Sequence, residues 1–391
     1  MQAKGRQPLT ITASGKDLGN ARALNEFLLT TAKLSWEGDA KAATALQVRI
    51  TGDKRAPEVQ LLPVIGFQPE VGAYVFHKWA VDQSGQVVTP DKRGHFRLGY
   101  NRIFQAPIPA EGKSITPAII TRPQVAKIYQ LIRDAWGENG AVALAWTVAS
   151  WFVCQVKAEI NLFPHLSMYG DPASGKSALV TLLNAIQGRE GEGLPISQLS
   201  TKKGNIRTIG QVSGLFTALL EDNERNDRAF DYSFVLTAYN RGPLQVQAAF
   251  SNDLQTKESP FLGTLLFAQN AEPFNSKAER QRVISLQFKA DAITDASRAA
   301  YEQLTAADKR DLAGIMRQAL THRQHFEQSW RQAYATATAD LGPLSERRIL
   351  DNHALILAFH RLFCGCFGIK EDPATVNHFA DLARQKCLSS A

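Results

Sequence analysis

Apolar residues recur along this chain with two different periods, and the changes between them mark out its elements. Leu9 to Thr12 reads as a short strand, and Leu18 to Lys33 has helical apolar spacing. Gly72 to Val81 and Gln86 to Val88 alternate like strands around Asp82-Gln83-Ser84-Gly85, which predicts a hairpin. The proline-containing stretch from Ala106 to Pro117 reads as a linker. Two helices follow over 122–136 and 140–158, separated by Gly137 and Gly140. Ala141 to Val156 is the most hydrophobic stretch. It is shorter than a membrane span and interrupted by Thr147 and Ser150, so a buried helix is expected. Residues 159–290 then alternate strands with helices or hairpins, the pattern of a nucleotide-binding α/β layer. From about 292 onward the spacing is helical, with a break at Pro343.

Length and composition fit that outline. The 391 residues are enough for two or three domains, and 44% hydrophobic with 21% charged content is ordinary for a soluble globular protein. The net charge of +7 is unevenly spread, with 15 Lys/Arg against 10 Asp/Glu in residues 1–120 and near balance beyond. A basic N-terminal third hints at a polyanionic partner, though it equally suits an ordinary charged surface. Cys154, Cys364, Cys366 and Cys387 are too few and scattered for a disulfide framework. Cys364-Gly365-Cys366 lacks a second Cys or His pair at ligand spacing. With no charged-then-apolar leader, the expected location is cytoplasmic and reducing.

The chemistry concentrates in five places. Gly170-Asp171-Pro172-Ala173-Ser174-Gly175-Lys176-Ser177 is a complete G-x-x-x-x-G-K-S phosphate loop, preceded by a strand-like run and followed by helical spacing to Gln187. The glycines let backbone N–H groups curl around a phosphate, Lys176 can reach the terminal phosphates, and Ser177 would hold Mg²⁺. Leu215 to Leu220 is an apolar strand ending in Glu221-Asp222, where one acid would serve the metal and the other polarise the attacking water. Leu262 to Gln269 is a second apolar strand, ending at Asn270. That amide is expected between phosphate loop and acidic strand, where it would orient the lytic water. Arg280 and Arg282 immediately precede an alternating strand, and Arg348 opens a C-terminal helix. In a ring, arginines so placed would reach across a subunit boundary; in a monomer they would be surface charge. Between the acidic strand and Asn270, residues 244–257 read as an inserted hairpin whose Asn252 and Lys257 would suit a nucleic-acid backbone.

In this order, GDPASGKS, LLED, the 244–257 hairpin, LLFAQN and AERQRVISLQF resemble the AAA+ ATPases with a hairpin before the sensor strand. Within them the chain is most similar to the superfamily 3 and MCM-like replicative helicases of phages and mobile elements. Gly66 to Val88 and Ser345 to Phe363 look like segments of phage and bacterial primase-helicase-like proteins, so the resemblance covers about 60–365. It implies an α/β AAA+ P-loop ATPase core at 161–291, an α+β N-terminal domain at 1–112, a helical collar at 113–160 and a helical lid at 292–391. It further implies a hexameric ring hydrolysing ATP with Mg²⁺ on single-stranded DNA, with a primase or replication partner.

By that resemblance Lys176 and Ser177 bind ATP–Mg²⁺, Glu221 and Asp222 serve metal and water, and Asn270 is the first sensor. Arg282, then Arg280, fits the trans-acting finger, Arg348 the second sensor, and Lys257 the DNA contact. No zinc-binding or polymerase-type primase motif accompanies them. The same residues admit a remodelling or switch ATPase of defence or element maintenance, acting on a protein partner. In a different class, they admit a non-catalytic DNA-binding or scaffolding module with a vestigial nucleotide site.

Overall fold

The computed structural model describes residues 16–52, 59–99, 102–107, 114–196, 209–221, 232–248, 256–274 and 276–390, with backbone alone at 51–52, 243–248, 256–260 and 390. The expected strand at Leu9–Thr12, Asp222, Asn252 and residues 108–113 of the 106–117 linker lie outside these residues. The chain divides into two compact units, Met1–Val59 and Gln60–Ala391.

In the first unit, α1 (Ala21–Ala32) starts where the Asn20 side chain accepts the Ala23 N–H at 2.8 Å, and it ends on Lys33 in the left-handed region. Leu24 and Leu28 of α1 form a small core with Ala43 of α2 (Ala40–Gly52).

From the boundary at Val59 onward come short strands: β1 (Val59–Leu61), β2 (Ile65–Gln68), β3 (Ala73–Val75), β4 (Ala80–Val81), β5 (Val87–Val88), β6 (His95–Leu98) and β7 (Arg102–Gln105). The hairpin expected around 82–85 is present between β4 and β5. Asp82 Oδ1 accepts the N–H groups of Ser84 and Gln86, both at 2.9 Å, and Gly85 takes φ +86°. The single strand expected from Gly72 to Val81 is instead two. Phe76 and Trp79 stack with ring centroids 4.4 Å apart, and Phe76 N–H donates to Trp79 O at 2.9 Å. That closes a turn between β3 and β4. The apolar alternation hid it, because the turn itself is built from two apolar rings.

Helix α3 (Arg122–Trp151) begins at a capping box of Thr121 with Gln124 and breaks at Gly137, whose φ of 60° and ψ of −151° are not helical. Its second half, from Gly140 to Trp151, is entirely buried. After Phe152 the chain bends 75° into α4 (Val153–Ile160). Among the described residues no single helix is long and apolar enough to cross a membrane.

The core sheet comprises β8 (His165–Gly170), β9 (Leu194–Pro195), β11 (Phe216–Leu220), β14 (Thr264–Gln269) and β15 (Val283–Phe288), in the order β15-β8-β14-β11-β9 with every pairing parallel. Its inner strands are buried on both faces, as a parallel sheet requires. Helix α5 (Lys176–Ile186) follows β8 and buries Leu179, Leu182, Leu183 and Ile186. β10 (Val212–Ser213) leaves this layer to pair in parallel with β2, joining the β2–β5 sheet to the core. Helix α6 (Phe234–Tyr239) precedes β12 (Pro243–Ala248) and β13 (Thr256–Pro260). These two pair antiparallel, with Gln247 opposite Lys257, at the position of the expected insertion.

A one-turn helix α7 (Lys277–Arg280) precedes β15. Beyond it the chain is helical: α8 (Asp295–Ala306), α9 (Lys309–Thr321), α10 (Arg323–Leu341), α11 (Arg347–Phe367) and α12 (Pro373–Ser390). The whole is a mixed α/β fold with a parallel sheet and a helical C-terminal region.

Candidate nucleotide site

Parallel strands end together, so the topology gathers whatever stands at their C-terminal ends. β14 lies between β8 and β11, with Gln269 beside Tyr169 and Ala268 beside Leu220. The phosphate loop after β8, Glu221 after β11 and Asn270 after β14 therefore share one edge of the sheet. They are also bonded to one another. Gly170 N–H donates to Asn270 O at 3.3 Å, and Asn270 N–H donates to a carboxylate oxygen of Glu221 in a short bond.

The loop takes its shape from backbone that most side chains would refuse. Gly170 has φ +132°, and a Cβ there would lie 1.9 Å from Phe288 O. Ala173 is held at φ +58° despite its Cβ, and Gly175 has φ +86°. A left-handed alanine costs about 1–2 kcal/mol, which the surrounding fold must offset. Asp171 anchors the outer rim: its N–H donates to Phe288 O, and its carboxylate accepts the Ala290 N–H, both at 3.0 Å. Among the described residues no acceptor pairs with the N–H groups of Ala173 through Ser177. They converge at the N-terminus of α5, where unpaired donors and the helix dipole favour an anion.

Lys176 folds back over this cradle. Its Nζ donates to Gly170 O at 2.8 Å, Asp171 O at 2.5 Å and Ser174 Oγ at 3.2 Å. Burial lowers its pKa, against the opposing pull of Asp171 and Glu221. A triphosphate would take over these carbonyl contacts. Ser177 is exposed beside it at the first turn, and Glu221, also exposed, faces the same mouth. Hydroxyl and carboxylate are hard oxygen ligands that suit Mg²⁺.

The arginines sit elsewhere. Val283 at the start of β15 pairs with His165, whereas Phe288 at its end pairs with Gly170. Arg282 thus lies at the opposite edge of the sheet from the phosphate loop, roughly 20 Å away along the strand. There it donates to Ala278 O at 2.6 Å, and its guanidinium lies 5.5 Å from the Tyr239 ring centre. Arg348 joins it through Gln281, donating to Gln281 Oε1 at 3.1 Å. Asn352 fixes the same turn by donating to Gln281 O at 2.9 Å and accepting from Tyr239 OH at 2.7 Å.

Among the described residues Arg280, Arg282 and Arg348 form no ion pair, and the buried Nε atoms of Arg280 and Arg282 have no partner. Burial and then the Arg348 charge hold the Arg282 pKa below its usual value. The structure thus groups Arg348 with Arg282, away from the loop of its own chain. Lys257 stands on β13, beside the hairpin's far end. Trp136, which the sequence did not single out, touches the loop directly: its Nε1–H donates to Gly175 O at 3.2 Å.

No family model matches the chain, and no curated protein matches it. Among solved structures, the SCCmec type IV Cch active helicase is similar over 96% of this chain and 69% of its own, with a TM-score of 0.63 and 14% identity. The A form apo structure of the NrS-1 C-terminal region aligns over 84% of this chain and 70% of its own, at 12% identity and a TM-score of 0.29, below the level of a shared fold. At such identity the Cch likeness speaks of architecture. The chain has the mixed α/β fold of that helicase.

Proposed function

We propose that this chain is an AAA+ P-loop ATPase working as an ATP-dependent DNA helicase or translocase of a phage or mobile genetic element. ATP would be hydrolysed between subunits of a homo-oligomeric, hexameric ring. The observation that carries the reading is the division of charged groups between two edges of one sheet. The C-terminal edge holds a cradle of free N–H groups with Lys176, Ser177, Glu221 and Asn270. The opposite edge holds three arginines without ion-pair partners. Those arginines lie too far from their own loop to touch it, so in this reading a second copy brings its loop to them.

In this reading Lys176 and the loop amides bind the β- and γ-phosphates, and Ser177 and Glu221 hold Mg²⁺. Asp222 polarises the attacking water, and Asn270 orients it. Arg282, with Arg280 and Arg348, neutralises the charge that spreads over the transferred phosphoryl group in the neighbouring subunit, a contribution that reaches about 10³–10⁵ in rate. The 244–257 hairpin, with Lys257 and Asn252, grips the single-stranded DNA backbone. The fold shared with a structure described as an active helicase supports this assignment. ATP turnover should rise when single-stranded DNA is added, and the chain should displace an annealed strand. Turnover indifferent to DNA, with no displacement, leaves an ATPase and removes the helicase.

A further inference from the structure

Resting on that nucleotide reading, the structure assigns a subsite for the base. We propose that Trp136 and Tyr301 form an angled aromatic platform, in which the purine ring of the bound nucleoside triphosphate stacks on one ring and meets the other edge to face.

A phosphate loop fixes only phosphates; the nucleoside must lie on whatever surface borders the first turn of α5. Here that border is aromatic. Trp136 ends the first half of α3 and is tied to the loop by its bond to Gly175 O. The approach is so close that a Cβ on Gly175 would lie 3.0 Å from Trp136 Nε1. Tyr301 of α8 meets the indole edge to face, with centroids 5.7 Å apart and planes at 77°.

Both rings are only partly buried, whereas the nearby Ile132 and the helix beyond Gly140 are closed off. Two large aromatics at the lip of a phosphate cradle leave apolar faces in water unless something flat covers them. Room for it exists. Helix α3 breaks at Gly137, and a Cβ built there would meet nothing within 4 Å. Asn139, on the next turn, donates to Gln287 O at 2.8 Å and so holds the break against the end of β15. A bicyclic purine matches the indole in size better than a pyrimidine, and stacking gives affinity without depending on one hydrogen-bond pattern.

The test separates base from phosphate. The full chain and its variants are titrated calorimetrically with a non-hydrolysable ATP analogue and with inorganic tripolyphosphate, each with Mg²⁺. Trp136→Ala and Tyr301→Ala should each weaken the analogue by about 10-fold or more while leaving tripolyphosphate unchanged. Trp136→Phe, which keeps a flat ring, should restore most of the loss. Tyr301 has no bond to the loop, so its variant reports on stacking even if Trp136→Ala disturbs Gly175. Equal losses for both ligands would make the pair a mere support of the loop. No loss for either would make it packing. Both outcomes overturn the platform while sparing the phosphate site. Failure of the unaltered chain to bind either ligand overturns the phosphate site as well.

Discussion

Lys157 is fully buried and, among the described residues, has no carboxylate partner, so replacing it by methionine should change how stability depends on pH. Its Nζ donates to Ala238 O at 2.5 Å and Gly263 O at 2.9 Å, and lies 5.2 Å from the Phe261 ring centre. Those carbonyls flank the hairpin excursion, one at the end of α6 and the other just before β14. Burial lowers the Lys157 pKa from 10.5 to about 7. Below pH 7 both folded and unfolded chains carry the proton, and the folded state bears the full penalty. Between pH 7 and 10.5 the unfolded chain holds a proton that the folded one has released, so stability rises with pH. A shift of that size corresponds to about 5 kcal/mol over the whole window, of which about 2 kcal/mol falls between pH 7 and 9.

Lys157→Met removes this slope. It also leaves the two carbonyls without their donor, a pH-independent cost of about 1–3 kcal/mol each. Urea unfolding of both proteins at pH 7, 8 and 9 isolates the slope, because every other titrating group is common to the pair. The stability advantage of the lysine protein should grow by about 2 kcal/mol over that range. A difference that stays constant with pH would show that the amine keeps its proton when buried, and the argument from burial would fail.

Other substitutions probe separate parts of the structure. Glu221→Gln should lower ATP turnover by about 10²–10⁴-fold in steady-state assays while calorimetry still detects nucleotide binding. Gly170→Ala drives a Cβ into Phe288 O and demands a left-handed alanine, so nucleotide binding should be lost even in protein that remains folded by circular dichroism. Lys386→Met breaks the bonds from Lys386 Nζ to Glu272, beyond β14, at 2.5 Å and to Ser285 of β15 at 2.6 Å, which tie α12 to the sheet. It should cost about 3 kcal/mol in urea unfolding, much of it returned by adding Glu272→Gln, which removes the stranded charge.

Local chemistry was legible in the sequence, and long-range arrangement only in part. The strand, glycine loop and helix around 165–186 were readable because a parallel strand's apolar run, positive-φ glycines and amphipathic spacing are all local signals. The break at Gly137 was visible for the same reason. Sequence also suggested that the strand ending at Asn270 would lie between loop and acidic strand, and β14 does pair with both β8 and β11. It could not show that Arg348, 66 residues beyond Arg282, returns to the same turn through Gln281, because that meeting depends on how α11 packs. Nor could it show β10 crossing to pair with β2, since two residues carry no period. Trp136 gave no signal at all. Its relation to Gly175 exists only once α3 lies beside the loop.

The central claim, a nucleotide site shared between two copies of the chain, has a direct test in subunit mixing. Lys176→Ala removes the proposed phosphate ligand but leaves the arginine edge intact, and Arg282→Ala does the reverse. Each variant alone should be nearly inactive in ATP hydrolysis. Mixed, assembled copies would present some interfaces with an intact loop from one variant facing an intact arginine from the other. The account predicts that mixing restores DNA-stimulated hydrolysis well above the sum of the two. A mixture no more active than its separate components, despite co-assembly, would contradict it.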